Sequence, residues 1–216
     1  MVIIFTENLK IMGIKKRKER ERAEMRSLIL STAKKLLIER GYEQTSVRNI
    51  ASEISYSHGT IYLYFRDKDA IFQEISKQGL NALTEKVKSL AALDNPIVRL
   101  VAMGRAYVDF VRENPDIYEL MFTNKAFLGY IKEKYQQDRI ESKQNVFHIL
   151  LETMQECIDK KFIKSHYLES LSFLFWSTLH GAITLEISGR LYFANSRNPE
   201  TSVDKAFDLL CKLVRS

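Results

Sequence analysis

Helix breakers are scarce in this chain: three prolines and eight glycines stand among 216 residues. A protein so poor in residues that end helices and make tight turns is not a many-turned sheet protein, and long helices are expected. Cysteine is scarcer still. Cys157 and Cys211 are too few and too far apart for a disulfide framework or a zinc site, and both stand in helical, largely apolar stretches as inert packing residues. No run reaches the roughly 18 uninterrupted apolar residues of a membrane span. The opening Met1-Val2-Ile3-Ile4-Phe5 is interrupted at Thr6, Glu7, Asn8 and Lys10, and it lacks the order of a secretory signal. Met12 is a second plausible start, so residues 1–11 are expected to form an extension with little structure. Catalytic signatures are missing too: there is no GxGxxG, GxxxxGK, HExxH or CxxC. His58, His148, His166 and His180 show no ligand spacing. The expectation is a protein that is not an enzyme, with no metal and no cofactor.

What is present supports a real core. Apolar residues make up 45% and aromatics 11%, enough for one large domain or two small ones. The net charge of +6 is unevenly placed. Residues 1–66 hold 13 Lys and Arg against 7 Asp and Glu, and residues 67–216 hold 20 against 20. A basic head on a neutral body is the footprint of a nucleic-acid binder; a solvated lysine-rich surface is the plain alternative.

Apolar spacing predicts about nine helices, no strands and an all-α fold. Leu28, Ile29, Ala33, Leu36 and Leu37 give a helix over 27–40 that Gly41 closes. Thr45-Ser46 offers an N-cap to a short helix with the stripe Val47, Ile50, Ala51 and Ile54. After Ser55-Tyr56-Ser57 a third short helix is expected from about His58 to Phe65, and Asp67 then caps a long one from Lys68 to about Leu90. Asn95-Pro96, Asn114-Pro115 and Asn198-Pro199 each read as a helix start. Further apolar-periodic stretches lie near 97–112, 116–122, 127–160, 167–191 and 200–214. Two short helices across a three-residue turn inside a basic three-helix unit describe a helix-turn-helix. The expected division is a flexible basic arm over 1–22, a helix-turn-helix DNA-binding domain over 23–68, and a larger neutral helical body over 69–216.

The run Gly41-Tyr42-Glu43-Gln44-Thr45-Ser46-Val47-Arg48-Asn49-Ile50-Ala51, followed by Ser57-His58-Gly59-Thr60-Ile61-Tyr62-Leu63-Tyr64-Phe65, Lys68 and Ile71-Phe72, resembles the head of the TetR family of transcriptional regulators. Two positions depart from it. Ser55 stands where the family usually has Gly in the turn, and His58 stands where Lys or another polar residue is common. The resemblance implies DNA contacts from Ser46, Arg48, His58, Gly59, Thr60, Tyr62, Tyr64 and Lys68. The residue chemistry agrees. Hydroxyls and Lys68 suit phosphate, Arg48 suits guanine or phosphate, Tyr62 suits a thymine methyl, His58 suits base edges, and Gly59 permits close approach. Plain alternatives are packing for Tyr64, a solvated helix start for Lys68 and a solvated tail for Lys15 to Arg22.

The body is rich in aromatics and methionine, which at helical spacing are usually core. The resemblance implies a pocket for a small effector between helices, with Tyr107, Phe110, Met121, Phe122, Phe147, Trp176 and His180 as its candidate lining. Trp176-Ser177-Thr178-Leu179-His180-Gly181 resembles the Trp–His–Gly signature of one TetR subclass. Trp176 and His180 share a helix face, and Gly181 would let a helix or ligand come close, unless the pair is ordinary core. In the last helix Val203, Ala206, Phe207, Leu209, Leu210, Leu213 and Val214 cover an arc of roughly 160°. Such a wide face suits burial against its own chain and a second copy, with Val203, Phe207, Leu210 and Val214 at the dimer interface. The reading is a cytoplasmic, homodimeric repressor on a palindromic operator in double-stranded DNA, released by a small apolar effector. A ligand-independent DNA binder and an adaptor that has lost DNA binding are the rivals.

Overall fold

The structure, a computed structural model, describes residues 2–123, 127–129, 132, 145–194 and 201–215. Among these residues it holds ten α-helices, one 3-10 turn and no strand, so the chain is all-α. Two compact units emerge, one built on residues 1–77 and a second that begins at Gln78. The Asn198-Pro199 helix start lies outside the described residues.

In the first unit α1 spans Val2–Gln44, α2 Val47–Glu53 and α3 His58–Tyr62, and α4 (Lys68–Lys88) begins there. Their inward faces supply Ile29, Ala33, Leu36, Ile50, Ile61, Phe65, Ile71 and Phe72, all buried. Burial of Ile71, Phe72 and Ile75 explains why the unit runs to Lys77 rather than ending near residue 68. Leu28, expected on the inner face, is exposed, and Leu30 is buried instead. The basic run at 15–22 and the stretch ahead of it are helical, not an irregular arm. Acids interleaved with bases favour this, with Arg17–Glu21 and Arg20–Glu24 pairing at 3.4 Å one turn apart. Gly41 breaks α1 with φ of +74°, a conformation that favours glycine, and lets Tyr42 turn edge-on to Phe72 at 4.9 Å.

Side-chain chemistry sets the short helices. The Ser46 hydroxyl accepts from the Asn49 backbone N–H at 3.2 Å while the Asn49 side-chain oxygen accepts from the Ser46 N–H at 3.0 Å, a reciprocal cap that starts α2. At its end Tyr56 N–H donates to Ala51 C=O (2.9 Å) and Ser55 N–H to Ser52 C=O (3.1 Å), which is a Schellman cap. Its pivot, Ser55, holds φ of +59°. A Cβ in that region costs about 1–2 kcal/mol, partly offset by the greater unfolded-state freedom of glycine. Ser55→Gly is therefore expected to raise stability by about 0.5–1 kcal/mol in denaturant unfolding; a midpoint at or below the parent's would contradict this account of the turn. Asp67 caps α4 as expected, accepting from the Ala70 N–H at 2.7 Å. α3 ends at Tyr62 rather than Phe65, because the N–H groups of Tyr64 and Phe65 both donate to the Ile61 carbonyl.

The second unit continues α4 through a 3-10 turn (Ser89–Ala92) into α5 (Pro96–Glu113), α6 (Pro115–Thr123), α7 (Val146–Asp159), α8 (Leu168–Ile187), α9 (Leu191–Ala194) and α10 (Ser202–Leu213). Two of the Asn-Pro starts stand as read. The Asn95 side chain accepts from the N–H groups of Ile97 and Val98, and Pro115 opens α6. The stretch 167–191 is split into α8 and α9 because Gly189, at φ of +68°, closes α8 with another Schellman cap. α5 is buried on most of its circumference and packs against α6, α7 and α8, while α8 packs on α7 and α10. Gly104 lets α5 meet α10: a Cβ there would stand 2.4 Å from the Phe207 ring. Around this contact Arg105 pairs with Asp204 and Asp208, and Arg112 with Glu186 and Asp204. Cys157 is buried, which pushes its thiol up to about 11, an unreactive packing residue. Among the described residues no helix is long and apolar enough to cross a membrane.

Candidate nucleic-acid interface and aromatic cluster

In the first unit α3 is presented outward by its own cap. The Ser57 hydroxyl accepts from the Thr60 N–H (3.2 Å) and lies 3.0 Å from the Thr60 hydroxyl. Ile61 and Phe65 anchor the segment inside. His58 and Gly59 are exposed, and Tyr62 is 52% exposed, far more than packing would leave a tyrosine. Among the described residues a Cβ at Gly59 would meet only the Ser57 hydroxyl, at 3.6 Å, so none of them requires glycine there. That leaves close approach from outside as its use. Arg48 is exposed on α2, which Lys35 of α1 ties down by an ion pair to Glu53 at 2.6 Å. That hydrogen bond raises the Lys35 pKa and lowers that of Glu53.

Besides Thr60, whose hydroxyl meets that of Ser57, three of the expected DNA contacts have work within the chain. The Ser46 hydroxyl caps α2. Tyr64 is half-buried, with its carbonyl accepting from Arg26 at 2.9 Å. Lys68 donates to the Tyr42 carbonyl at 2.5 Å, and its ammonium stands 3.9 Å from the Tyr42 ring centroid. Lys68 is thus committed to the junction of α1 and α4. Residue type alone does not separate this from a phosphate contact; the distances do. Tyr56 and Arg66, both exposed beside α3, were not among the sequence candidates. Tyr56 precedes the α3 cap by one residue, and that position was its only signal.

The second unit gathers five of the seven pocket candidates. Tyr107 reaches His180 Nδ1 at 2.9 Å, and Tyr118 reaches the same nitrogen at 2.7 Å. Tyr118 also meets the Thr184 hydroxyl at 3.0 Å, and Thr184 donates to the His180 carbonyl at 2.6 Å. Ring centroids of Phe122 and Trp176 lie 4.6 and 5.2 Å from the imidazole, and Phe147 lies 6.0 Å from Trp176. Donor counting assigns the protons. With its own proton on the His180 carbonyl, Thr184 accepts from Tyr118, so the Tyr118 oxygen accepts from an Nδ1–H tautomer and Nε2, 3.5 Å from the Tyr118 hydroxyl, carries the lone pair. Burial lowers the His180 pKa and raises those of Tyr107 and Tyr118, so all three groups are neutral. Phe110 and Met121 are buried, and the Met121 sulfur packs where a Cβ of Gly79 would stand, at 3.0 Å; neither is recorded against the imidazole. Thr184 was missed, and Tyr118, one of the body's aromatics, was not singled out for the lining. Thr184 continues the series 176, 180, 184 at four-residue spacing, which was the available signal. Among the described residues nothing stands within 4 Å of a Cβ built on Gly181, so it admits neither helix nor ring from among them.

Comparison with known proteins gives these units a family. Residues 29–75 match the family model for bacterial regulatory proteins of the tetR family, and residues 100–210 match the tetracyclin repressor-like C-terminal domain. The chain belongs to the TetR family. That family is one of bacterial regulatory proteins. The C-terminal match assigns no Trp–His–Gly subclass, which stays a resemblance of one segment. The regulator HbdR of Aromatoleum sp. (strain CIB) is 35% identical over 106 residues, 49% of this chain and 46% of HbdR. The uncharacterised regulator YerO of Bacillus subtilis (strain 168) is 24% identical over 200 residues, 89% of this chain and 67% of YerO. The chain thus spans less than half the length of HbdR and two thirds of YerO. The crystal structure of the TetR-family regulator PfmR from Thermus thermophilus superposes with a TM-score of 0.61 at 20% identity, covering 87% of this chain and 97% of that one, which shows the shared fold.

One expectation about this TetR-family chain is corrected by α10. Val203, Phe207, Leu210 and Val214, expected at a dimer interface, are all buried within the protomer, Phe207 to 1%. Ala206, Leu209 and Leu213 are the apolar residues left outside, Leu209 at 56% exposure. The expected arc was wide because it combined these two faces.

Proposed function

We propose that this regulator is a cytoplasmic repressor that holds a palindromic operator as a homodimer and releases it when a small, uncharged, largely apolar effector binds the second unit. Repression is the family's usual mode. The observation that carries the effector reading is the His180 cluster: neutral hydroxyls and an imidazole set against the rings of Phe122 and Trp176, with Phe147 beside Trp176, and no charged group among these residues. An effector for this lining would stack on the rings and present one hydrogen-bond donor to Nε2. Binding must favour one arrangement of the paired heads, with coupling of about 1–3 kcal/mol typical.

The dimer would form through the outer stripes Leu174, Gly181 and Leu185 of α8 and Ala206, Leu209 and Leu213 of α10, all exposed in the single chain. The open space over Gly181 suits the close approach of a partner helix.

Trp176 is the chain's one tryptophan, so its emission reports the cluster without interference. A metabolite extract is fractionated and each fraction titrated into the protein–DNA complex. A true effector is expected to quench or shift the emission over the concentrations that release DNA, and His180→Ala is expected to weaken the effector more than it weakens DNA. Release of DNA with unchanged emission and normal binding by His180→Ala would place the effector site elsewhere. If no fraction releases DNA, the ligand-independent reading gains.

A further inference from the structure

The basic run ahead of the head folds as the continuation of α1, and most of its charges are sorted by face, with Glu19 standing at the edge of the basic side. At about 100° per residue Lys15, Lys18, Arg22 and Arg26 fall within an arc of roughly 80°. Arg17, Arg20, Glu21 and Glu24 lie on the opposite side, where they pair at 3.4 Å. Among the described residues no ion pair is recorded for Lys15 or Lys18, and both are exposed.

A second observation fixes where the stripe points. The guanidinium of Arg22 stands over the Tyr64 ring, 6.0 Å from its centroid. Arg26 lies 4.3 Å from the Phe65 centroid and donates to the Tyr64 carbonyl at 2.9 Å. The stripe side of α1 is therefore the side laid against the segment that leaves α3. Lys18 and Lys15 extend it by about 6 and 10 Å along the helix axis, at 1.5 Å per residue.

We propose that Lys15, Lys18 and Arg22 form a second, ordered DNA-contacting surface that grips backbone phosphates flanking the site read by α3. Charge complementarity to phosphate and continuity with the α3 edge argue for duplex DNA as the partner. Such contacts carry no base information. They lengthen the footprint and steepen the salt dependence of binding to any duplex.

The test uses the full chain and a mixed-sequence duplex, with affinity measured across a salt series. Each phosphate contact contributes about 0.9 to the slope of log affinity against log salt. Lys15→Ala with Lys18→Ala is expected to lower the slope by about 0.9 for each lysine seated on a phosphate. Arg17→Ala with Arg20→Ala removes the same charge from the opposite face and is expected to leave the slope nearly unchanged. Lys15→Arg with Lys18→Arg, which keeps charge and helix, is expected to hold the parent slope. Equal effects from the two alanine pairs would reduce the stripe to a diffuse positive field, and an unchanged slope in the stripe pair would remove it as a contact; either result overturns the proposal. It rests on α3 reading DNA, but its failure is separable from failure of that reading: slope on mixed sequence reports the stripe, whereas sequence preference reports α3.

Discussion

Leu209→Glu is expected to give a folded monomer, and Phe207→Ala a chain whose second unit is badly destabilised, although the two residues sit two apart on one helix. Phe207 is closed in by Gly104, stands edge-on to Phe175 at 6.2 Å and lies beneath the Arg105 guanidinium at 4.9 Å. Truncating a buried phenylalanine costs about 3–5 kcal/mol in transfer and cavity terms, against a total stability of about 5–15 kcal/mol for a typical domain. Leu209 faces away from this core. A carboxylate there costs the single chain little, but an apolar interface closing over it would bury an unpaired charge. Loss of the dimer also removes the linkage of two heads on one operator, so operator affinity is expected to fall by about 10²–10⁴. Sedimentation equilibrium and denaturant unfolding separate the two effects. A Leu209→Glu protein that keeps the dimer mass would move the interface off α10; a Phe207→Ala protein as stable as its parent would undo the packing assigned to Gly104.

Tyr62→Ala and Lys68→Ala should part company in the same way. Tyr62 is half out in solvent on α3 with no task inside the chain among the described contacts. Its loss is expected to weaken the preferred sequence by about 1–3 kcal/mol and relax the preference, with the fold unchanged. Lys68 is committed to the Tyr42 carbonyl and ring. A hydrogen bond to a charged group contributes about 1.5–3 kcal/mol, so Lys68→Ala is expected to lower the stability of the head by an amount of that order. The salt slope of DNA binding should then stay close to the parent's. A lowered slope with unchanged stability would return Lys68 to the phosphate contacts that its residue type first implied.

What the sequence disclosed follows a physical division. Asn95-Pro96, Asn114-Pro115 and Ser46 are legible because a cap is decided by residues within one turn. The stripe Val47, Ile50, Ala51 is legible because only one face of α2 has anything to bury against. Period fails where a helix has two apolar faces. In α10 Phe207 and Leu209 look equivalent until α5 and α8 take up their places and enclose one of them. It also fails where one residue type serves two purposes. Ser46 and Lys68 carry groups that suit phosphate as well as they suit a cap or a carbonyl, and only a distance decides. The aromatic cluster was legible through Trp176 and His180, whereas Tyr118 was overlooked because its partner, Thr184, is polar and drew no attention in an apolar stripe. The end of α3 was placed too late because the turn after Tyr62 keeps hydrogen-bonding to Ile61 without continuing the helix.

The central claim is that α3 reads a specific duplex on behalf of a two-fold dimer. Selection of bound fragments from random duplex DNA by the full chain tests it most directly. The account predicts enrichment of an inverted repeat, with half-site centres about one helical turn or a multiple of it apart, and a changed or weakened motif when selection is repeated with Tyr62→Ala. Fragments no more enriched than the input pool, or a motif identical for both proteins, would contradict it.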